Sequence, residues 1–197
     1  MTDEYLTIAA PSQGLYREKG SRFIAFAHPV VAENDIKQIL HELKRKYHDA
    51  RHICYAFRLG AAGDVHRAVD DGEPSGTAGK PILGQLLSNN ITNVAVFVVR
   101  YFGGVKLGVS GLINAYRAAT ADALANTEII AAEDCARFTV LFDYAQINSV
   151  MQTLKDEQAS IETQNFDLNC SIQLHIRKSK AETLKNKLKN KGLMVFD

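Results

Sequence analysis

A chain of 197 residues, 46% hydrophobic and 23% charged, has room for one large globular domain or two small ones. These ordinary proportions exclude a disordered chain, and a formal net charge of +1 excludes attraction to nucleic acid or membrane by a global field. The balance is also local. Lys and Arg number 14 against 14 Asp and Glu through Glu133, and 9 against 8 from Asp134 onward, so nucleic-acid binding would need a local patch.

The three cysteines, Cys54, Cys135 and Cys170, are odd in number and widely spaced. They argue against a disulfide framework or a zinc cluster and fit a reducing compartment. The opening "MTDEYLTIAAPSQG" lacks the basic-then-apolar order of a signal peptide. No apolar run approaches the ~20 residues that span a bilayer. The expectation is a cytoplasmic protein with no membrane partner.

In chain order, "EYLTIAA" reads as a strand. "LYREKGSRFIAFAHPV" reads as a hairpin turning at Lys19–Ser21. "AENDIKQILHELKRKYHDA" is a helix, with Ile36, Ile39, Leu40, Leu43 and Tyr47 at helical spacing and Asn34 as its expected N-cap. In the strand "HICYAFRLG", Ile53, Tyr55, Phe57 and Leu59 share one face. "HRAVDD" is a short strand. "KPILGQLLSNN" is a helix that carries Pro81 in its first turn. "NVAVFVVRYF" is apolar almost throughout, which predicts a strand buried on both faces. "GGVKLGVSG" reads as a connection, and "LINAYRAATADALANT" as an Ala-rich helix able to lie close to a sheet.

Beyond Glu133 the pattern changes to strand "CARFTVLFDYAQ", helix "INSVMQTLKDEQ", strands "ASIETQNFDL" and "CSIQLHIRK", helix "SKAETLKNKLKNKG" and strand "LMVF". The order β-α-β-β-α-β is the ferredoxin-like split βαβ arrangement. The expected domains are therefore 1–133 and 134–197, in an α+β protein with a mixed N-terminal sheet. Lysines 178, 180, 185, 187, 189 and 191 on the last helix could meet phosphates, but such a run is more often a solvated face.

Two stretches concentrate chemistry. The first is "DDGEPSGTAGKP", Asp70–Pro81. It is not a Walker A loop, because positions 74 and 81 are both proline where that loop needs Gly and Ser or Thr. Asp70, Asp71 and Glu73 have the chemistry for Mg²⁺ or acid–base work. They also suit a solvated turn. Thr77, Ala78 and Gly79 precede a helix, where N–H groups favour anions; alternatively, Thr77 or Ser75 caps that helix. The second is "RYFGGVKLGVSG", Arg100–Gly111. Gly103 and Gly104 permit close approach, and Arg100 and Lys106 add positive charge, although the spacing is not GxGxxG. His52 and Cys54 lack the Glu and PCxxC partners of a zinc deaminase, and no GxSxG elbow occurs.

The two stretches "DDGEPSGTAGKPIL" and "VVRYFGGVKLGVSGLINAYRAA", with "RHICYAFRLG" before them, closely resemble the IMPACT family and its bacterial YigZ-type branch over nearly all of residues 1–133. The shared positions are Asp70, Asp71, Gly72, Glu73, Pro74, Gly76, Thr77, Ala78 and Gly79, continuing at Arg100, Tyr101, Gly103, Gly104, Leu107, Gly108, Gly111 and Leu112. The resemblance implies a first domain similar to domain IV of elongation factor G and a second similar to its domain V. It implies eukaryotic relatives that regulate translation by competing for the activator of an initiation-factor kinase, a role that does not carry over directly to a bacterial-type protein.

The leading expectation is a translation-related binding protein, not an enzyme. It would act on RNA, the ribosome or a translation-associated protein, without DNA sequence specificity, cofactor or metal. Its expected site comprises Asp70, Asp71, Glu73, Thr77, Ala78, Gly79, Lys80, Arg100, Gly103, Gly104 and Lys106. Arg100 is expected to pair with Asp70, Asp71 or Glu73. The alternatives are a small hydrolase or phosphoryl-transfer enzyme using Asp70, Glu73 and Thr77, and a protein-interaction module with no nucleic-acid role.

Overall fold

The computed structural model describes residues 3–167 and 170–197. Leu168, the expected end of one strand, and the first two residues of the chain lie outside them. Contacts divide the chain into two compact units: Tyr5–Ala132, and Glu133–Asp197 together with the N-terminal residues through Glu4. The described residues form three sheets and five α-helices, an α+β protein.

Strand β1 (Glu4–Ile8) pairs with a later strand. Strands β2 (Ser12–Glu18) and β3 (Ser21–Pro29) form the expected hairpin. Its two turn residues, Lys19 and Gly20, both have positive φ (45° and 78°), which suits the twist of a tight hairpin. Helix α1 (Glu33–Lys46) follows. Its N-cap is Ala32, not the expected Asn34. The Asp35 carboxylate takes the N–H groups of Val31 and Ala32 at 3.0 Å each, the half of a capping box that the N3 residue supplies, while Ala32 has no side chain for the other half.

Strands β4 (His52–Leu59) and β5 (Val65–Val69), helix α2 (Gly79–Ser88), strand β6 (Val94–Tyr101) and helix α3 (Gly108–Ala125) complete the larger sheet and its cover. The sheet runs β2-β3-β6-β4-β5. Every neighbouring pair is antiparallel, so the expected mixed sheet is corrected: β6 inserts between β3 and β4 and runs opposite to both. As its sequence predicts, β6 is buried on both faces. Val94, Val96 and Val98 join Ile82 and Leu86 of α2 and Leu112, Ala115 and Tyr116 of α3. Ala95, Phe97 and Val99 meet Ile36 and Leu43 of α1. Helix α3 begins four residues before its expected start, so the end of the glycine-rich connection is its first turn. It packs so closely on β2 that a Cβ at Gly14 would lie 2.2 Å from the Ala123 nitrogen.

Strand β7 (Ile129–Glu133), unmarked by the sequence pattern, is the partner of β1. The second unit contains β8 (Cys135–Phe142), α4 (Ile147–Asp156), β9 (Ser160–Phe166), β10 (Cys170–Arg177), α5 (Lys178–Asn190) and β11 (Met194–Phe196). Its antiparallel order β11-β8-β10-β9 is the split βαβ arrangement. Phe138, Val140, Ile172 and Leu174 pack under Val150, Leu154, Leu184 and Leu188. On α5, Lys178, Lys185 and Lys187 pair with Asp134, Asp197 and Glu157. Lys180 and Lys191 donate to Gln158 and to Ser149 and Thr153. This lysine face is largely engaged within its own unit.

Phe97 is fully buried at the centre of the larger sheet, whereas Leu15 on β2 is 42% exposed. Phe97→Ala is expected to cost about 3–5 kcal/mol in denaturant unfolding of this unit. Leu15→Ala should change it by less than about 0.5 kcal/mol. Equal effects would contradict the assigned core.

Candidate functional site

The loop between β5 and α2 is shaped by Asp71 and Gly72, both with positive φ (43° and 86°), and by the Glu73 N–H donating to the Asp70 carbonyl at 2.9 Å. This turn aims the Asp70 carboxylate at the start of α2. One oxygen accepts from the N–H groups of Ala78 (3.1 Å) and Gly79 (2.8 Å), and the other from that of Gly76 (2.8 Å). Burial works against the Asp70 charge, but the N–H groups of Gly76, Gly79 and Ala78 outweigh it and hold the carboxyl below the usual carboxylate range. The chain thus supplies its own anion to the helix start.

This geometry corrects the expectation that Thr77, Ala78 and Gly79 turn their N–H groups outward. All three residues are buried. The Thr77 N–H and hydroxyl both donate to the Pro74 carbonyl (3.0 and 2.7 Å). The cap is neither Thr77 nor Ser75 but Asp70, reaching back from the end of β5. Asp71 acts elsewhere, its carboxylate accepting the Ile53 N–H at 2.7 Å. Its carbonyl lies 2.7 Å from His52 Nδ1. A carbonyl only accepts, so Nδ1 carries the proton of that bond.

Of the three acids expected as partners of Arg100, Glu73 is the one that pairs with it. Its Oε1 accepts from Arg100 Nη1 at 2.5 Å and from the Tyr116 hydroxyl at 2.7 Å. Both members of the ion pair are over nine-tenths buried. The Cys54 thiol lies within hydrogen-bond reach of the Tyr116 oxygen (3.3 Å) and the Asp70 carbonyl (2.9 Å). Burial first of all pushes both the Cys54 thiol and the Tyr116 phenol well above their ordinary values, so neither ionises near neutral pH. Phe23 closes the cluster from below, its ring centroid 5.1 Å from that of Tyr116 and 5.4 Å from Arg100 Cζ.

The second glycine-rich stretch also has a structural role. A Cβ on Gly103 would lie 2.0 Å from the Gly20 carbonyl carbon, so the close approach that this glycine permits is to the β2–β3 turn and not to the acidic loop. The Gly103 N–H donates to Ser21 Oγ at 3.1 Å. Gly104, with φ of 88°, turns the chain toward α3.

Between the two loops lies a cleft of about 450 Å³. Arg100 and Glu73 line it together with Arg51, His52, Phe102, Lys106 and the first turn of α3. Phe102 and Val109 line it and are exposed (48% and 60%), as is Val105 in the same connection (52%). A second cleft of about 380 Å³, between α2 and α3, carries Lys80 and Arg117. Among the expected residues, Glu73, Arg100 and Lys106 meet at the first cleft and Lys80 at the second. Asp70, Thr77, Ala78 and Gly79 line neither. Among the described residues no three His, Cys, Asp or Glu side chains converge as metal ligands.

The sequence reading missed Tyr116, Phe102, Arg51, His52 and Arg117 as parts of the site. For Tyr116 a signal existed: a hydroxyl-bearing ring on the same helical stripe as Leu112 and Ala119, where only apolar groups would otherwise be buried.

Comparison with known proteins points the same way as the two loops. Residues 19–124 match the Impact N-terminal domain. An IMPACT family member of Haemophilus influenzae is 33% identical over 182 residues, 90% of this chain and 88% of its own. This chain belongs to the IMPACT family. The family member YigZ of Escherichia coli is 33% identical over 150 residues, 75% of this chain and 74% of its own. A crystal structure described as that of a hypothetical protein superposes with a TM-score of 0.73 at 28% identity, covering 100% of this chain and 98% of that one.

In this IMPACT family member, Glu73→Ala strands the Arg100 charge in the interior. It should cost about 3–5 kcal/mol of stability. Replacing both partners, as Glu73→Leu with Arg100→Met, should recover a substantial part of that loss in the same denaturation assay, because no lone charge stays buried. Equal stability of Glu73→Ala and wild type would contradict the ion pair's structural role.

Asp70 gives a pH signature. Its folded pKa is depressed, so its stabilisation is complete above the unfolded carboxylate value and is lost as pH falls through the lower folded value. Asp70→Asn should therefore flatten part of the acid limb of a stability–pH curve, and an unchanged acid limb would count against the cap.

Proposed function

We propose that this protein is a translation-associated RNA-binding module, acting on RNA free or within the ribosome through the two clefts of its N-terminal unit. The observation that carries the reading is the division of charge. Asp70 and Glu73 are tied into internal bonds, while Arg51, Lys80, Lys106 and Arg117 are exposed and have no ion-pair partner among the described residues. Arg51 and Lys106 line the first cleft, at the start of α3, and Lys80 and Arg117 line the second, between α2 and the middle of α3. A neutral protein with such a local basic track binds a phosphate backbone without relying on overall charge.

Membership of the family supports a regulatory role in translation, in keeping with the role that the resemblance implies for eukaryotic relatives. The likeness of the units to elongation factor G domains IV and V belongs to the same proposal. The split βαβ unit is compatible with it, although shared architecture is a weak guide to function.

The enzyme alternative finds less support. Asp70 caps a helix, Glu73 holds Arg100 and Tyr116, and the buried Thr77 hydroxyl donates to Pro74. The three do not converge on one cleft as acid, base and nucleophile would need to. A protein-interaction role has one observation in its favour, the exposed Phe102, Val105 and Val109.

Fluorescence anisotropy with a labelled single-stranded RNA across a salt series tests the reading. Wild type should lose affinity steeply with salt. Lys106→Ala should weaken binding and make the log–log slope shallower by about 0.7, the counterion release of one phosphate contact on a single strand. Its unfolding free energy should move by less than about 0.5 kcal/mol. Salt-insensitive binding, or a Lys106 variant that loses stability instead of affinity, would count against RNA binding at this surface.

A further inference from the structure

The floor of the first cleft asks for more than a phosphate. His52 and Arg100 sit directly opposite each other in the β4–β6 ladder, which places both side chains on one face of the sheet. Both line the cleft. Arg100 is tied to Glu73 through Nη1 alone. Its Nε is buried, and the Nε–Nη2 edge has no hydrogen-bond partner among the described residues. An unpaired guanidinium edge on a side chain over nine-tenths buried is a costly arrangement unless something completes it. His52 gives the complement. With Nδ1 engaged by the Asp71 carbonyl, Nε2 is the ring nitrogen left to meet a ligand, as an acceptor whenever the ring carries one proton. The floor therefore pairs donors with an acceptor.

The charges are also layered. At the floor, Arg100 is already balanced by Glu73. The unbalanced positive charges, Arg51 and Lys106, are on exposed residues. The walls between are apolar, with Phe102, Leu107 and Val109 prominent, and the Phe102 ring centroid lies 5.7 Å from Arg100 Cζ. A ligand that matches all three layers has a flat apolar body, a hydrogen-bonding edge and an anionic group at its outer end.

Resting on the RNA reading, we infer that the cleft takes one unpaired nucleotide, with its base inserted against Phe102 toward Arg100 and His52 and its phosphate on Lys106 and Arg51. The volume of about 450 Å³ suits a single nucleotide. A base held in a duplex is stacked and paired and cannot enter such a pocket without being extruded. The protein therefore prefers single strands to duplexes, and binding depends on the presence of a base and not only on the phosphates.

Three labelled probes separate this inference from the reading beneath it. They are a single-stranded RNA of about ten nucleotides, within the span that single-strand grooves cover, the same strand in a duplex, and a base-free ribose-phosphate strand of equal length. The single strand should bind at least about tenfold more tightly than either of the others. Phe102→Ala should remove about tenfold of the single-strand affinity, the value of one stacked base, while leaving the base-free strand unaffected. Val109→Gln, a longer but neutral side chain at an exposed wall position, should crowd the base in the same sense and serves if Phe102→Ala does not fold.

Lys106→Ala should weaken all three probes alike. If the duplex or the base-free strand binds as tightly as the single strand, base insertion is overturned while RNA binding stands. If none of the three binds, both fall.

Discussion

One carboxylate joins the parts of the N-terminal unit that matter most. Glu73 receives Arg100 from the central strand and Tyr116 from the long helix, so a loop that would otherwise be a mobile turn is fixed against the sheet and α3. The interior gives these groups little choice. A carboxylate and a guanidinium removed from water must find each other, and separating them would cost several kcal/mol. The same bond places the Arg100 guanidinium at the floor of the cleft. The ion pair and the cleft are two aspects of a single arrangement.

The motif then divides by the sign of its charge. Its acids build: Asp70 terminates a helix, Asp71 secures the edge of β4 through the Ile53 N–H, and Glu73 anchors β6 and α3. Its glycines build as well, since Gly103 lets the β2–β3 turn pass at backbone contact. The bases Lys80, Lys106, Arg51 and Arg117 are left facing solvent. A polyanion partner fits that division better than a cation or an acid-catalysed reaction.

Much of the framework was legible in the chain. The unbroken apolar run of β6 announced burial on two faces, the Lys19–Ser21 stretch announced a hairpin, and the β-α-β-β-α-β order of the elements after Glu133 could be read from their patterns. Local cues failed where a distant residue took over a local role. Thr77 and Ser75 have the chemistry of N-caps, yet Asp70 fills that position from the preceding strand. Asn34 has the cap composition, yet Asp35 makes the bonds. Strand β7 was hidden because its pairing with β1 joins opposite ends of the unit, and the start of α3 was hidden because Gly108 and Gly111 discourage a helix reading.

Site residues followed the same pattern. The Arg100 pairing with the acidic loop was expected from charge alone, but the choice of Glu73 depended on the positive-φ turn at Asp71 and Gly72. His52 joined the site only through tertiary contact, whereas the place of Tyr116 on the apolar stripe of α3 was a signal that went unused.

The central claim is that the motif's acids hold the fold while its flanking bases hold a translation-linked partner. Ribosome co-sedimentation across a salt series, with wild type beside a folded Arg51→Glu/Lys106→Glu variant, tests this most directly. The prediction is that wild type pellets with ribosomes at low salt and is released as salt rises, whereas the variant stays in the supernatant with an unchanged melting curve. A variant that pellets equally well would contradict it, as would wild type that neither pellets with ribosomes nor binds free RNA.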